Sequence, residues 1–174
     1  MYYYSKDSIV GRNSPLDAAI ISTPTFTHKD LIVQAADHGL SIFTEKPVDE
    51  TSEKIDYLFN YCNKKDSKLC CSFQRRFDDS YLATQEALSQ GAIGKALTAR
   101  IFFGDHPCPP PEFLLDGGEI FMDLSAHDID YIRWCLNDEV VSVYATGTSS
   151  NKMLEEAGVY DNATLLLHFS QGEI

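Results

Sequence analysis

The stretch "LDAAIISTPTFTHKDLIVQAADHGLSIFTEKP", Leu16 to Pro47, decides the fold. It opens on "LDAAIIST", a short continuous apolar run that reads as a strand buried on both faces, as parallel strands are. The prolines and threonines of "TPTFTH" end it. From Lys29 the apolar positions Leu31, Ile32, Ala35 and Ala36 recur at helical spacing, and Gly39 suits the left-handed residue that follows a helix. A helix therefore joins the first strand to a second, "LSIFTE".

Working outward, the next periodic run places Ile55, Leu58, Phe59 and Cys62 at i, i+3, i+4 and i+7, with Thr51 or Ser52 placed to cap its start. It leads to a third strand, "SKLCCSF". Strand, helix, strand, helix, strand at this spacing is the pattern of βαβ units, whose right-handed crossovers build a parallel sheet. The expected fold class is α/β: part of a doubly wound parallel sheet of Rossmann type over residues 1–75, then part of an α+β domain over residues 76–174.

The second half has a different texture. A helix near Tyr81 to Leu88 stops at "SQGAIG", "KALTARIFF" alternates like a half-exposed strand, and the proline-rich "DHPCPPPEF" reads as a loop. A helix is expected from Gly118 to Leu136, then two strand-like runs, "EVVSVYATGTS" and "ATLLLHFS". Strands joined without intervening helices favour an antiparallel or mixed sheet.

Composition narrows the function classes. Fourteen basic against 26 acidic side chains give a net charge of −12, which repels phosphate backbones and anionic membranes, so no nucleic-acid partner is expected. No apolar run approaches the ~20 residues of a membrane helix. The five cysteines, Cys62, Cys70, Cys71, Cys108 and Cys135, form no C-x-x-C pair, and no secretory segment opens the chain. Reduced thiols and a cytoplasmic location follow as expectations.

Ligands of open α/β sheets lie beyond the carboxyl ends of the strands, where both "TPTFTH" and "TEKP" fall. Thr23, Pro24, Thr25, His28, Glu45, Lys46 and Pro47 are thus delivered to one rim. An ordinary lysine is a solvated surface residue, but Pro47 restricts Lys46 to extended geometry and projects its ammonium from a fixed backbone. The Lys46–Pro47 bond is open to either isomer.

On the later helix, at ~100° per residue, Asp123, His127, Asp130 and Trp134 fall within about 60° of one another. Ile120, Leu124, Tyr131 and Cys135 form the neighbouring apolar stripe, so the polar line lies at the edge of the buried face. The bland reading is a solvated amphipathic face. An Asp-x-x-x-His pair is nonetheless suited to acid/base work, the carboxylate orienting or polarising an imidazole that titrates near neutrality. Asp128 projects about 140° from Asp123 into the apolar stripe, where an unpaired carboxylate is costly. Arg75 or Arg76 is its expected partner, in a structural role.

"AAIISTPTFTH", "IFTEKP", "SFQRRFD" and "GGEIFMDLSAHDIDYIRW" together resemble, in order and spacing, the motifs of the Gfo/Idh/MocA oxidoreductases, which include inositol 2-dehydrogenases. The resemblance runs from about Pro15 to the C-terminus. It implies a hydride transfer between a polyol or sugar hydroxyl carbon and NAD or NADP. It also implies that Lys46 contacts nicotinamide and substrate, that Asp123 binds substrate and that His127 accepts the proton. Thr23, Pro24, Thr25 and His28 match the family loop beside the cofactor, and Glu45 the position near the nicotinamide ribose. The family's G-x-G-x-x-G turn has no counterpart, since Gly11 in "IVGRNSP" lacks its spacing. Relative to the family, the chain is therefore expected to be truncated at both ends and to hold NAD(H) weakly.

Two other readings remain open at this point. One is a non-catalytic relative that binds a small ligand or forms a homo-oligomer through its second sheet. The other, metal-dependent hydrolysis suggested by His127-Asp128, fits poorly, because His28, His38, His106 and His168 show no ligand spacing. No metal site is therefore expected.

Overall fold

In the computed structural model, residues 16–116 and 120–172 are described. They fall into two compact units that divide between Ser72 and Phe73. The opening "MYYYSKDSIVGRNSP", with Gly11, and the expected helix start at Gly118 lie outside the described residues.

In the first unit, β1 (Ala18–Ile21), α1 (His28–Asp37), β2 (Ser41–Thr44), α2 (Ser52–Lys64) and β3 (Leu69–Cys71) follow the expected order. The strands pair in parallel in the order β1-β2-β3, with Ala19 opposite Ile42 and Ile42 opposite Leu69. Local signals set the helix ends. Thr51 accepts the Lys54 amide at 3.4 Å to start α2, and Gly39, at φ +69°, ends α1 while its amide reaches the Ala36 carbonyl at 3.0 Å.

Ile21 and Ile42 from the sheet meet Ile32, Ala35 and Ala36 of α1 and Leu58 and Cys62 of α2 in one core. Ile32 and Leu58 are fully buried, each contributing roughly 1.5–3 kcal/mol of apolar burial. The strands are not buried on both faces, as the apolar runs implied. Ile20, Phe43 and Cys70 stand side by side on the face opposite this core, and all three are exposed, Ile20 by 79%. The reason is the pleat: both helices pack on the side of Ile21 and Ile42, so alternate residues point the other way.

The second unit holds α3 (Asp79–Ser89), α4 (Pro111–Leu115), α5 (Ser125–Leu136), β4 (Val140–Thr148), α6 (Lys152–Ala157) and β5 (Asn162–Phe169), with a 3₁₀ turn at Gln74–Phe77. β4 and β5 are antiparallel, as expected, although α6 sits in their connection. Asn151 caps α6 by accepting the Leu154 amide at 3.1 Å, and Gly158 ends it at φ +70°. Gly147 of β4 lies under Tyr160, so closely that a Cβ would stand 2.7 Å from the ring's Cγ.

Two further expectations are corrected here. The proline-rich loop contains α4, with Pro111 at its first turn, where a missing N–H costs nothing. "KALTARIFF" forms no strand among the described residues. β4 and β5 pair with each other, and Leu97 and Phe102 of that segment are exposed without a ladder.

Candidate functional site

The first unit builds its rim from two turns at the carboxyl ends of β1 and β2. The Thr23–Thr27 turn is closed by the Thr27 amide and hydroxyl, which donate to the Pro24 carbonyl at 2.9 and 2.7 Å. The hydroxyls of Thr23 and Thr27 lie 2.6 Å apart. Thr23 and Pro24 are exposed and Thr25 half-buried, so this turn faces outward.

The second turn carries Glu45, Lys46 and Pro47, all half-buried. The Glu45 amide donates to the Ile21 carbonyl at 2.9 Å, extending the β1–β2 ladder by one step to the edge of the lysine. The Lys46–Pro47 bond is cis. Val48, buried behind it, and Asp49, which accepts the Glu50 amide at 2.7 Å and lies 3.4 Å from Lys54, fix the exit of the chain. Lys46 thus leaves from a strand end anchored on both sides.

His28 occupies a different kind of place from the other rim residues. It is 1% exposed, with Nδ1 2.9 Å from the Pro47 carbonyl and Nε2 2.8 Å from the Thr23 carbonyl. Both ring nitrogens are engaged by backbone.

In the second unit, Asp123 and His127 lie on one continuous helical run, but not on one α-helix. Ile120–Leu124 forms a π-turn, with i→i+5 bonding, and α5 begins at Ser125, whose hydroxyl donates to the Phe121 carbonyl at 2.6 Å. The 100° step that placed Asp123 above His127 therefore applies only from Ser125 onward. Such π-turns inside helices recur at functional sites. Asp123 and His127 are both half-buried, and the Phe73 ring packs edge-on against His127 at 6.4 Å and 85°.

The turn Gln74–Phe77 grips α5 through two arginines. Arg75, 6% exposed, donates to Asp128 and lies over the Tyr81 and Phe103 rings at 5.4 and 4.8 Å. Arg76 binds both carboxylate oxygens of Asp130 at 2.9 and 2.7 Å and lies over Trp134 at 5.6 Å. The polar stripe read from the sequence accordingly divides: Asp123 and His127 form one part, while Asp130 and Trp134 receive Arg76. Bidentate, charge-assisted bonds of this kind are the strong ones, at about 1.5–3 kcal/mol each.

Burial pushes Tyr131 up to about 12 and raises Cys135, so both stay protonated at neutral pH. A cleft of about 1310 Å³ runs between α5 and the β4–β5 sheet, with Asp123, Ile129, Ile132, Leu165 and Phe169 among its walls. His127 is not part of that lining, so the cleft is chiefly the gap behind the helix, with Asp123 at its margin. Among the described residues no three His, Cys, Asp or Glu side chains gather as a metal site. Asp128, on which the hydrolase reading leaned, is held by Arg75.

Sequence reasoning missed Phe73, the π-turn and the burial of His28. Only Phe73 left a usable signal, an aromatic directly before the Gln-Arg-Arg-Phe turn.

Comparison with known proteins bears on both units. Residues 2–73 match the family model described as an oxidoreductase family with an NAD-binding Rossmann fold, and residues 81–174 match the GFO/IDH/MocA C-terminal domain. The chain is 36% identical over 159 residues to an inositol 2-dehydrogenase of Rhizobium meliloti, covering 91% of this chain and 48% of that one. It is 37% identical over 160 residues to scyllo-inositol 2-dehydrogenase (NAD(+)) of Bacillus subtilis, covering 90% and 46%. The crystal structure of myo-inositol 2-dehydrogenase from Lactobacillus plantarum superposes with a TM-score of 0.86 at 29% identity, covering 99% of this chain and 52% of that one. The chain thus spans about half the length of the relatives it matches. Among the described residues no helix is long and apolar enough to cross a membrane. With both halves matched in order, the chain belongs to the GFO/IDH/MocA oxidoreductase family.

Proposed function

We propose that this chain carries the chemical core of an NAD(P)-dependent oxidoreductase that acts on a CH–OH carbon of a polyol or sugar, with an inositol as the first substrate to try. The observation that carries the reading is Glu45-Lys46-Pro47 at the carboxyl end of β2, in the parallel sheet of a chain whose halves match both family models. The named relatives act on inositols, and one is named for NAD(+).

A bound nicotinamide would supply the hydride acceptor. The residues at the strand ends fit such a group: Thr23, Pro24 and Thr25 present an outward turn, and Glu45 and Lys46 leave from a backbone fixed by the strand ladder. Lys46 contributes positive charge where alkoxide character develops, which stabilises that charge only as it forms. His127 takes the O–H proton as hydride leaves the carbon, and Asp123 binds a substrate hydroxyl. Proton and hydride together account for the two hydrogens lost in making a ketone.

The purified chain, mixed with NAD⁺ or NADP⁺ and myo- or scyllo-inositol, should produce reduced nicotinamide absorbance. Lys46→Met should lower turnover by about 10³-fold, on the scale of losing one preorganised electrostatic group. Unchanged turnover would remove Lys46 from the mechanism.

A second reading, self-association without turnover, draws on the exposed apolar side chains of the two-stranded sheet. Val143, Tyr144 and Leu166 are 58, 67 and 44% exposed. Light scattering that finds only monomer at high concentration would count against it.

A further inference from the structure

We propose that His28 is a positioning residue for Lys46: an imidazolium whose two N–H groups tie the turn after β1 to the turn after β2. The first observation is burial, since the ring is 1% exposed. The second is that both ring nitrogens face carbonyl oxygens, Pro47 at 2.9 Å and Thr23 at 2.8 Å. A carbonyl oxygen can only accept, and a neutral imidazole has one N–H and one lone pair. A lone pair held that close to a carbonyl would be repelled, so each nitrogen carries a proton and the ring is cationic.

Burying such a charge is costly, and the two hydrogen bonds to carbonyl oxygens offset part of that cost. The charged groups on the surrounding elements are Lys29, Asp30 and Asp37 on α1 and Glu45, Lys46, Asp49 and Glu50 on the turn after β2. β1 and the Thr23–Thr27 turn carry none. Asp49 is already engaged by the Glu50 amide and by Lys54. The backbone carbonyls are thus the ring's own recorded partners, and one of them belongs to the residue directly after Lys46.

The consequence is mechanical. β1 and β2 are bonded in register up to the Glu45 amide, but beyond it each chain turns away into its own helix. His28, at the first position of α1, spans that gap and links the turn that faces outward with the peptide that carries the lysine. Loss of either bond frees the Lys46–Pro47 segment without touching the core below. The role in catalysis rests on the oxidoreductase reading; the link itself does not.

Imidazole nitrogen NMR on the full chain, with His28 assigned by its disappearance in His28→Gln, tests the charge directly. Two protonated nitrogens at neutral pH are expected, and a neutral ring with one bare nitrogen would overturn the proposal. Amide exchange supplies the second measurement. In His28→Leu the Glu45 and Thr27 amides should exchange about tenfold faster or more, the scale of one lost charge-assisted hydrogen bond, while Ile42 is unchanged. Equal exchange at Glu45 would also overturn it. In the assay above, His28→Gln, whose donors sit on a single nitrogen and not on two edges of a ring, should lower kcat by about tenfold with KM for the polyol held within about twofold. If the wild-type chain shows no turnover at all, the oxidoreductase reading falls, and the ring spectrum and exchange still decide the link.

Discussion

The two units hold their functional residues by opposite means. In the first, the buried imidazole of His28 is satisfied by backbone carbonyls, and the strand ladder carries the rest of the rim. In the second, side chains meet side chains: Arg75 with Asp128 and Arg76 with Asp130 bind the Gln74–Phe77 turn to α5. A parallel sheet offers oriented carbonyls at its strand ends, so one donor residue can fix two turns. A lone helix edge offers no such carbonyls, because its own backbone bonds consume them, and a charged clamp has to supply the register. Backbone bonding should be nearly indifferent to salt, whereas the exposed side of the Arg76 pair should weaken as salt screens it.

The strongest way to break that comparison is Arg75→Met. It leaves Asp128 without its recorded partner beside the apolar stripe, and loss of one member of a buried pair costs about 3–5 kcal/mol. Denaturant unfolding of the second unit should show it. Adding Asp128→Leu to the same chain should recover much of the loss, because an apolar pair replaces a stranded charge. If the double variant is as unstable as the single one, Arg75 is held by its stacking on Tyr81 and Phe103 and not by charge.

Gly147→Ala is the next largest. Its new Cβ would meet Tyr160 at Cγ and Cβ, near the root of the side chain, where the ring cannot simply swing aside. Overpacking of this kind costs about 1–3 kcal/mol, and the melting temperature should fall. An unchanged Tm would mean that the Phe121–Tyr160 contact, at 5.9 Å, gives way easily. Thr51→Ala in the first unit removes only a cap and should cost about 1 kcal/mol.

These residues also show where the sequence was readable. Thr51, Gly39 and the run from Ile55 to Cys62 act within a few residues of themselves, so spacing alone placed α1, α2 and the parallel order. The pairing of Asp128 with an arginine was readable too, since an unpaired carboxylate in an apolar stripe demands one. His28 was not: its partners are carbonyls five and 19 residues away, and a histidine after a Thr-Pro turn looks like a surface residue. The π-turn under Asp123 leaves no period of its own over five residues. For "KALTARIFF" the alternation was genuine, but a strand also needs a neighbour, which no local pattern encodes. α6 announces itself by Asn151 and Gly158, and was hidden only by the two strand-like runs around it.

The smallest expected effect separates backbone from side-chain bonding within the first unit itself. Asp37, at the end of α1, accepts the Tyr61 hydroxyl at 2.8 Å and lies 2.7 Å from Lys65, which together tie α1 to the end of α2. The Lys65 ammonium and then the Tyr61 hydroxyl hold its carboxyl below the ordinary aspartate value of 3.8. A carboxyl lowered on folding adds stability that is fully present above the unfolded value and disappears as pH falls through the folded one. Asp37→Asn should therefore be slightly less stable than the parent at neutral pH, and the two should converge only below about pH 3.8. The pair is exposed, so 1 M salt should shrink the difference at neutral pH, while the His28 bonds, buried and made to carbonyls, should keep their slow amide exchange in the same salt. If salt loosened Glu45 and Asp37 alike, the backbone link would have no advantage over a surface ion pair.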